Sequence, residues 1–141
     1  MRYNFYMAVE IKEIYEGDLR VKLTRGPSQS VIETDAPLDN QGKGARFSPT
    51  DTVVAALGAC MLTIMGIVAK RDGIKLEGTN FRAEKHMIET PRRIGKIILE
   101  IYMPSGLTDE QKKKLERAGH TCPVHQSLHP DIEQEIKFIY E

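Results

Sequence analysis

Apolar and polar positions alternate at both ends of the chain and give way to a helical period in the middle. Residues 7 to 15 and 19 to 24 are short alternating runs joined at Gly17-Asp18, which predicts a β-hairpin. Residues 29 to 34 can add a third strand, and the stretch from Asp35 to Phe47, rich in Gly, Asp and Asn, predicts a loop. Residues 48 to 72 read as one long helix, and about 79 to 88 and 94 to 103 as two longer strands. Thr108-Asp109-Glu110-Gln111 opens a charged helix over 109 to 119 with a capping signature. From Ile132 to Tyr140 a closing strand is expected, with Ile132, Ile136, Phe138 and Tyr140 on one face by period-two spacing. Strands, a central helix and strands again predict an α+β fold with mainly antiparallel pairing, in a single domain over 1–141.

The central helix carries most of the information. Ser48-Pro49-Thr50-Asp51 supplies a cap residue, a proline at the first helical position and an acid at the third. Lys70-Arg71 before Asp72-Gly73 supplies a basic last turn and a glycine stop. Between them, Thr52 to Ala69 holds no charged residue, a length that touches the threshold for a membrane span. A lone span would strand the amphipathic strands on either side, so a buried helix of a soluble fold is expected instead. At about 100° per residue the helix divides into two arcs. Thr52, Ala55, Ala56, Ala59, Thr63, Gly66 and Ala69 form a small-residue arc, with Leu62 its one large member; Val53, Val54, Leu57, Met61, Ile64, Met65, Ile67 and Val68 form the large one. Large side chains suit a sheet, and small ones let a second helix approach. The 109–119 helix is too charged to be the obvious mate, so the expected mate is the same helix of a second copy, in a homodimer.

Composition adds exclusions. Lys plus Arg and Asp plus Glu both number 20, and a formal charge of zero recommends neither a nucleic acid nor a membrane surface as partner. The first seven residues lack the features of a signal peptide, so the expected compartment is a reducing cytoplasm. There, two cysteines stay thiols unless their chemistry uses the disulfide.

Both cysteines have an ordinary reading and a chemical one. Cys60 lies on the boundary between the arcs, flanked by Val53, Ala56, Ile64 and Ile67, where a cysteine packs as a small hydrophobe. Cys122 precedes Pro123, which can start a short helix; as its cap, the sulfur would meet orphan amides and the positive dipole end, lowering its pKa. His125 and His129, four apart, could join Cys122 around zinc, but nothing completes such a site and Pro130 closes the segment, so no metal is expected. His86 lies mid-strand and reads as structural.

The run from Phe47 through Ser48-Pro49-Thr50-Asp51 to Ala59-Cys60 resembles the first signature of the OsmC/Ohr organic-hydroperoxide-resistance family, a proline-capped, alanine-rich helix carrying a cysteine. Thr121-Cys122-Pro123-Val124-His125-Gln126-Ser127-Leu128 resembles its second, Cys-Pro-Val before a short helix. The resemblance implies antiparallel sheets packed around a long central helix in an intertwined homodimer, and a thiol peroxidase that needs no cofactor. It implies that Cys60 attacks the peroxide to become a sulfenic acid, that Cys122 resolves it as a disulfide, and that an external dithiol, lipoyl or thioredoxin-like, restores the pair. Family members of this kind place a glutamate after the helix-opening proline, where it orients a catalytic arginine. Here that position is Thr50, and the acid comes one residue later as Asp51. Asp51 also reads as the acidic end of the Ser48 capping box, and it lies about 900° around the helix and some 13 Å along it from Cys60. A mid-helix cysteine gets no orphan amides, so it needs a nearby cation, and the candidates are Arg20, after the hairpin turn, and Arg46, beside the helix cap. Thr50 also keeps open an alternative: a non-peroxidatic dimer of this fold that binds a small apolar ligand and carries a redox-sensitive thiol pair.

Overall fold

The computed structural model describes residues 8–141, so Met7, where the first strand was expected to begin, lies outside it. The chain divides into two compact units, residues 1–52 and 53–141.

The first unit holds a three-stranded antiparallel sheet, β1 (Ile11–Gly17), β2 (Arg20–Arg25) and β3 (Val31–Asp35), in the order β1-β2-β3. The hairpin turn sits one residue later than the sequence suggested. Asp18 and Leu19 are its central residues, both left-handed at φ 51° and 63°, and Gly17 pairs with Arg20 across it. Two consecutive positive φ angles give the twist that two antiparallel strands require. On one face of this sheet Ile11, Tyr15 and Ile32 are 58, 64 and 56% exposed. A three-stranded sheet gains its stability by burying such a face.

The long helix α1 (Pro49–Asp72) is capped as its sequence predicts. The Ser48 hydroxyl accepts the Asp51 N–H at 3.1 Å, and the Asp51 carboxylate accepts the Ser48 N–H at 2.8 Å. At the other end Gly73 turns left-handed at φ 68°, and Ile74 N–H returns to the Ala69 carbonyl, closing a Schellman motif.

The second unit packs the body of α1 on a sheet of β4 (Asn80–Ile88), β5 (Arg93–Tyr102) and β6 (Glu133–Ile139), with α2 (Asp109–Gly119) and α3 (Pro123–Ser127) connecting β5 to β6. β4 and β5 are antiparallel, whereas β6 runs parallel to β5, a pairing that needs a crossover connection, which α2 and α3 supply. Leu57, Met61 and Met65 of α1, Ile97, Leu99 and Ile101 of β5, and Leu115 of α2 are fully buried. Each contributes about 1.5–3 kcal/mol through burial. Gly58 is where helix meets sheet: a Cβ there would come within 2.5 Å of the Phe81 ring. Gly119 seats the end of α2 against Met61 and Met65 in the same way. α2 therefore does pack on α1, through its last glycine and through Lys114, which pairs with Asp72 at the end of α1.

α1 has the length and apolarity of a membrane span, with a mean hydropathy of 2.2. Its ridge of Val54, Leu57, Gly58, Met61, Met65 and Ala69 is buried and forms the helical side of the core of the second unit. The opposite stripe is bare in the single chain. Ala56, Ala59, Thr63 and Ile67 are exposed, Ile67 by 60%. The arcs thus differ from expectation at two places, because Ala69 turns inward under Ile74 while Ile67 joins the outward stripe.

On β5 and β6, Lys96 reaches Glu133 at 3.0 Å and Glu135 at 2.7 Å, and Lys137 reaches Glu135 at 2.7 Å. Hydrogen bonds from Lys137 and then Lys96 hold the Glu135 carboxyl down at about 2. A depressed carboxylate stabilises the fold above its ordinary value of 4.5, and that contribution is lost as pH falls toward about 2. Urea unfolding at stepped pH should therefore show a shallower acid loss between those values for Glu135→Gln than for the parent. Superimposable profiles would remove this cluster from the acid response.

Candidate functional site: a pair of neighbouring thiols

Cys60 lies midway along α1, half-buried between the inward ridge and the bare stripe. Cys122 arrives from another direction. After α2 the chain folds back through Thr121 N–H to Ala118 O at 3.0 Å and Cys122 N–H to Gly119 O at 3.1 Å. Pro123, which has no N–H to lose, then opens α3, and Cys122 is its cap. The Cys122 sulfur is fully enclosed and accepts the His125 N–H at 3.3 Å. Both cysteines are free thiols, and Cys60 is close enough to interact with the Cys122 thiol directly.

The cap geometry is as expected, but its electrostatic outcome is reversed. Burial pushes the Cys122 thiol up, and the interaction with Cys60 adds to that. The amides of His125 and Val124 pull it down without overcoming the first two. A sequence shows which amides a cap residue meets, whereas enclosure depends on what packs over it.

Of the histidines around Cys122, His120 and His125 stay together while His129 turns away. His125 Nδ1 lies 2.6 Å from the Gln134 side-chain oxygen, and the Gln134 amide nitrogen lies 3.4 Å from the His125 carbonyl. The His120 ring packs edge-on against His125 and against Phe138. α3 ends at Ser127 and Leu128 is extended, so His129 does not follow His125 on a helical face; it is exposed and accepts the Asp131 N–H. Among the described residues no group of three or more His, Cys, Asp or Glu is gathered for a metal ion. His86 pairs with Glu84 at 3.1 Å on the exposed face of β4.

In the first unit, each remaining candidate has a defined partner. Arg20 forms two parallel bonds to Asp35, Nε to Oδ1 at 2.8 Å and Nη2 to Oδ2 at 2.9 Å. Asp35 is 4% exposed, and its hydrogen bond with Arg20 holds its carboxyl below the usual range, while the Arg20 guanidinium is raised in turn. Together with Glu16, Asp18 and Lys43 the pair lines a cavity of about 530 Å³. Arg46 is more open, with Nε 3.2 Å from Glu33 and Nη1 on the Ala45 carbonyl. Asp51 closes the capping box with Ser48, and Thr50 reaches the Ser48 hydroxyl at 3.1 Å. The sequence offered no sign that Asp35 would hold Arg20, since their contact depends on the β2–β3 register, which pairs those two positions.

Fold and thiols together define an α+β protein with a cap cysteine brought against a core-helix cysteine. The chain belongs to the OsmC-like protein family, whose family model matches residues 42–137. It is 42% identical, with a TM-score of 0.88 over 92% of this chain and 94% of the other, to a crystal structure from Psychrobacter arcticus assigned provisionally to the osmotic-stress and detoxification response. An organic hydroperoxide resistance protein of Elizabethkingia anophelis shares the fold, with a TM-score of 0.75, 18% identity and all of both chains covered. An uncharacterized protein of Acinetobacter baylyi is 24% identical over 110 residues, 77% of each chain.

Proposed function

We propose that this protein is a thiol-dependent peroxidase for organic hydroperoxides, acting in oxidative stress defence in the cytoplasm. The observation that carries the reading is the meeting of two free thiols, one half-buried and the other enclosed behind it. The Cys60 thiolate attacks the distal peroxide oxygen; the O–O bond breaks, the alkoxide leaves as alcohol after taking a proton, and Cys60 becomes a sulfenic acid. The Cys122 sulfur then displaces hydroxide, which leaves as water, to form the Cys60–Cys122 disulfide. An external dithiol, lipoyl or thioredoxin-like, returns both to thiols. The cation needed by the Cys60 thiolate is assigned to Arg20 before Arg46, because two bonds to a buried carboxylate fix its orientation. Asp35 takes the arginine-holding part that Asp51, engaged at the helix cap, was a candidate for.

The active form is a homodimer on this reading. Two features support it: the uncharged stripe of Ala56, Ala59, Thr63 and Ile67, and the apolar face of β1–β3. Both bury when a second copy covers them.

One equivalent of cumene hydroperoxide should consume both thiols and lower the chain mass by two hydrogens. Lipoyl and thioredoxin-type reductants tested in parallel should identify the one that restores the thiols. Thiols left untouched at stoichiometric peroxide would end the peroxidase reading and favour a dimer that binds a small apolar ligand.

A further inference from the structure

Along β6 the face that carries Ile136 and Phe138 has one polar member, Gln134, in register with the fully buried Ile97 of β5. Gln134 is half-buried, and its amide is spent on one residue. Its oxygen lies 2.6 Å from His125 Nδ1 and its nitrogen 3.4 Å from the His125 carbonyl. The two contacts fix each other's polarity. A carbonyl can only accept, so the amide nitrogen points to it; the amide oxygen then faces the ring, and His125 Nδ1 carries the proton and donates.

His125 is also the residue whose N–H points at the Cys122 sulfur. That N–H belongs to a helix of five residues, too short to hold its own shape without tertiary support. Gln126 ties the same helix back to the His120 carbonyl at 3.1 Å, but among the described residues only Gln134 grips His125 by both ring and backbone.

We propose that Gln134 is a positioning residue for Cys122, clamping His125 so that its N–H stays aimed at the sulfur. A thiolate accepts that bond more strongly than a thiol does, so the clamp favours the form of Cys122 that attacks a neighbouring sulfenic acid. It partly offsets the opposing effects of burial and Cys60. The other titratable groups facing this region are Cys60 on α1, the His125 ring itself, His120 at the end of α2, and Lys85, which shares the sheet face through its pairing with Ile97. The inference rests on the dithiol reading for its consequence, but the clamp is tested without peroxide.

The experiment uses the Cys60→Ser protein, in which Cys122 is the one thiol. Its thiolate absorbance near 240 nm and its rate of alkylation by iodoacetamide are followed against pH. Gln134→Leu should move the ionisation midpoint up by about half to one pH unit and slow alkylation at neutral pH by about 3- to 10-fold. His125→Phe, which keeps an aromatic ring but has no ring donor, should do the same. The double variant should shift no further than either single, because both remove one clamp. An unmoved midpoint in folded Gln134→Leu, or additive shifts, would overturn the proposal. Should either variant fail to fold, the unsubstituted Gln134 protein decides. By NMR, the His125 amide resonance should move with the ionisation of Cys122, and one that stays still would refute the clamp. Peroxide consumption by the parent chain is measured separately, so a failed peroxidase reading and a failed clamp give different patterns.

Discussion

In the Cys60→Ser protein, cumene hydroperoxide is expected to survive, with its consumption falling to the uncatalysed rate, a loss on the order of 10⁶-fold. Cys122 should be recovered as a free thiol. The reason is access. Cys122 is fully enclosed, and its thiol is pushed up by burial, so with Cys60 gone nothing presents a nucleophile to a peroxide. The companion variant behaves differently. Cys122→Ser keeps the half-buried thiol and should consume one equivalent, stopping as a sulfenic acid on Cys60 that dimedone traps. Mass spectrometry of the two variants after one equivalent separates the roles. A sulfenic acid on Cys122 in the Cys60→Ser protein would invert them.

The second large effect concerns the bare stripe of α1 and has opposite signs for one chain and for two. Around Gly66 a single chain leaves open space, with nothing within 4 Å of an added Cβ. If the protein were a monomer, Gly66→Leu would stabilise it by about 1 kcal/mol, the difference in helix propensity. In the proposed homodimer the leucine overpacks a close helix contact and should destabilise by about 1–3 kcal/mol or more, giving dissociated or aggregated chain. Gly58→Ala is the internal control. Its new methyl would enter the Phe81 ring, so it should destabilise in either state. Sedimentation and thermal unfolding of parent, Gly66→Leu and Gly58→Ala decide the matter. A monomeric parent together with a stabilised Gly66→Leu would end the dimer reading.

Local features were legible in the chain itself. The Ser48–Asp51 capping box, the Gly73 stop and the uncharged run between them specify α1 through contacts three to five residues apart, which a sequence displays directly. Cys122-Pro123 announces a capped helix for the same reason. The spacing of Ile132, Ile136, Phe138 and Tyr140 marks the face of the closing strand that packs, half-buried, against the core.

Other features needed the folded chain. Arg20 lies 15 residues from Asp35, and their bidentate pair exists only because β2 and β3 adopt one register among several that the alternating pattern permits. The parallel course of β6 depends on how α2 and α3 carry the chain back across the sheet, not on the strand's own residues. The arcs of α1 were readable as large and small, but the inward turn of Ala69 and the outward turn of Ile67 depended on which neighbours arrived. Cys122 makes the same point in its chemistry. Its sequence neighbours lower the pKa of the sulfur, and the enclosure and the second thiol that raise it come from residues far away along the chain, because desolvation is set by everything packed around a group.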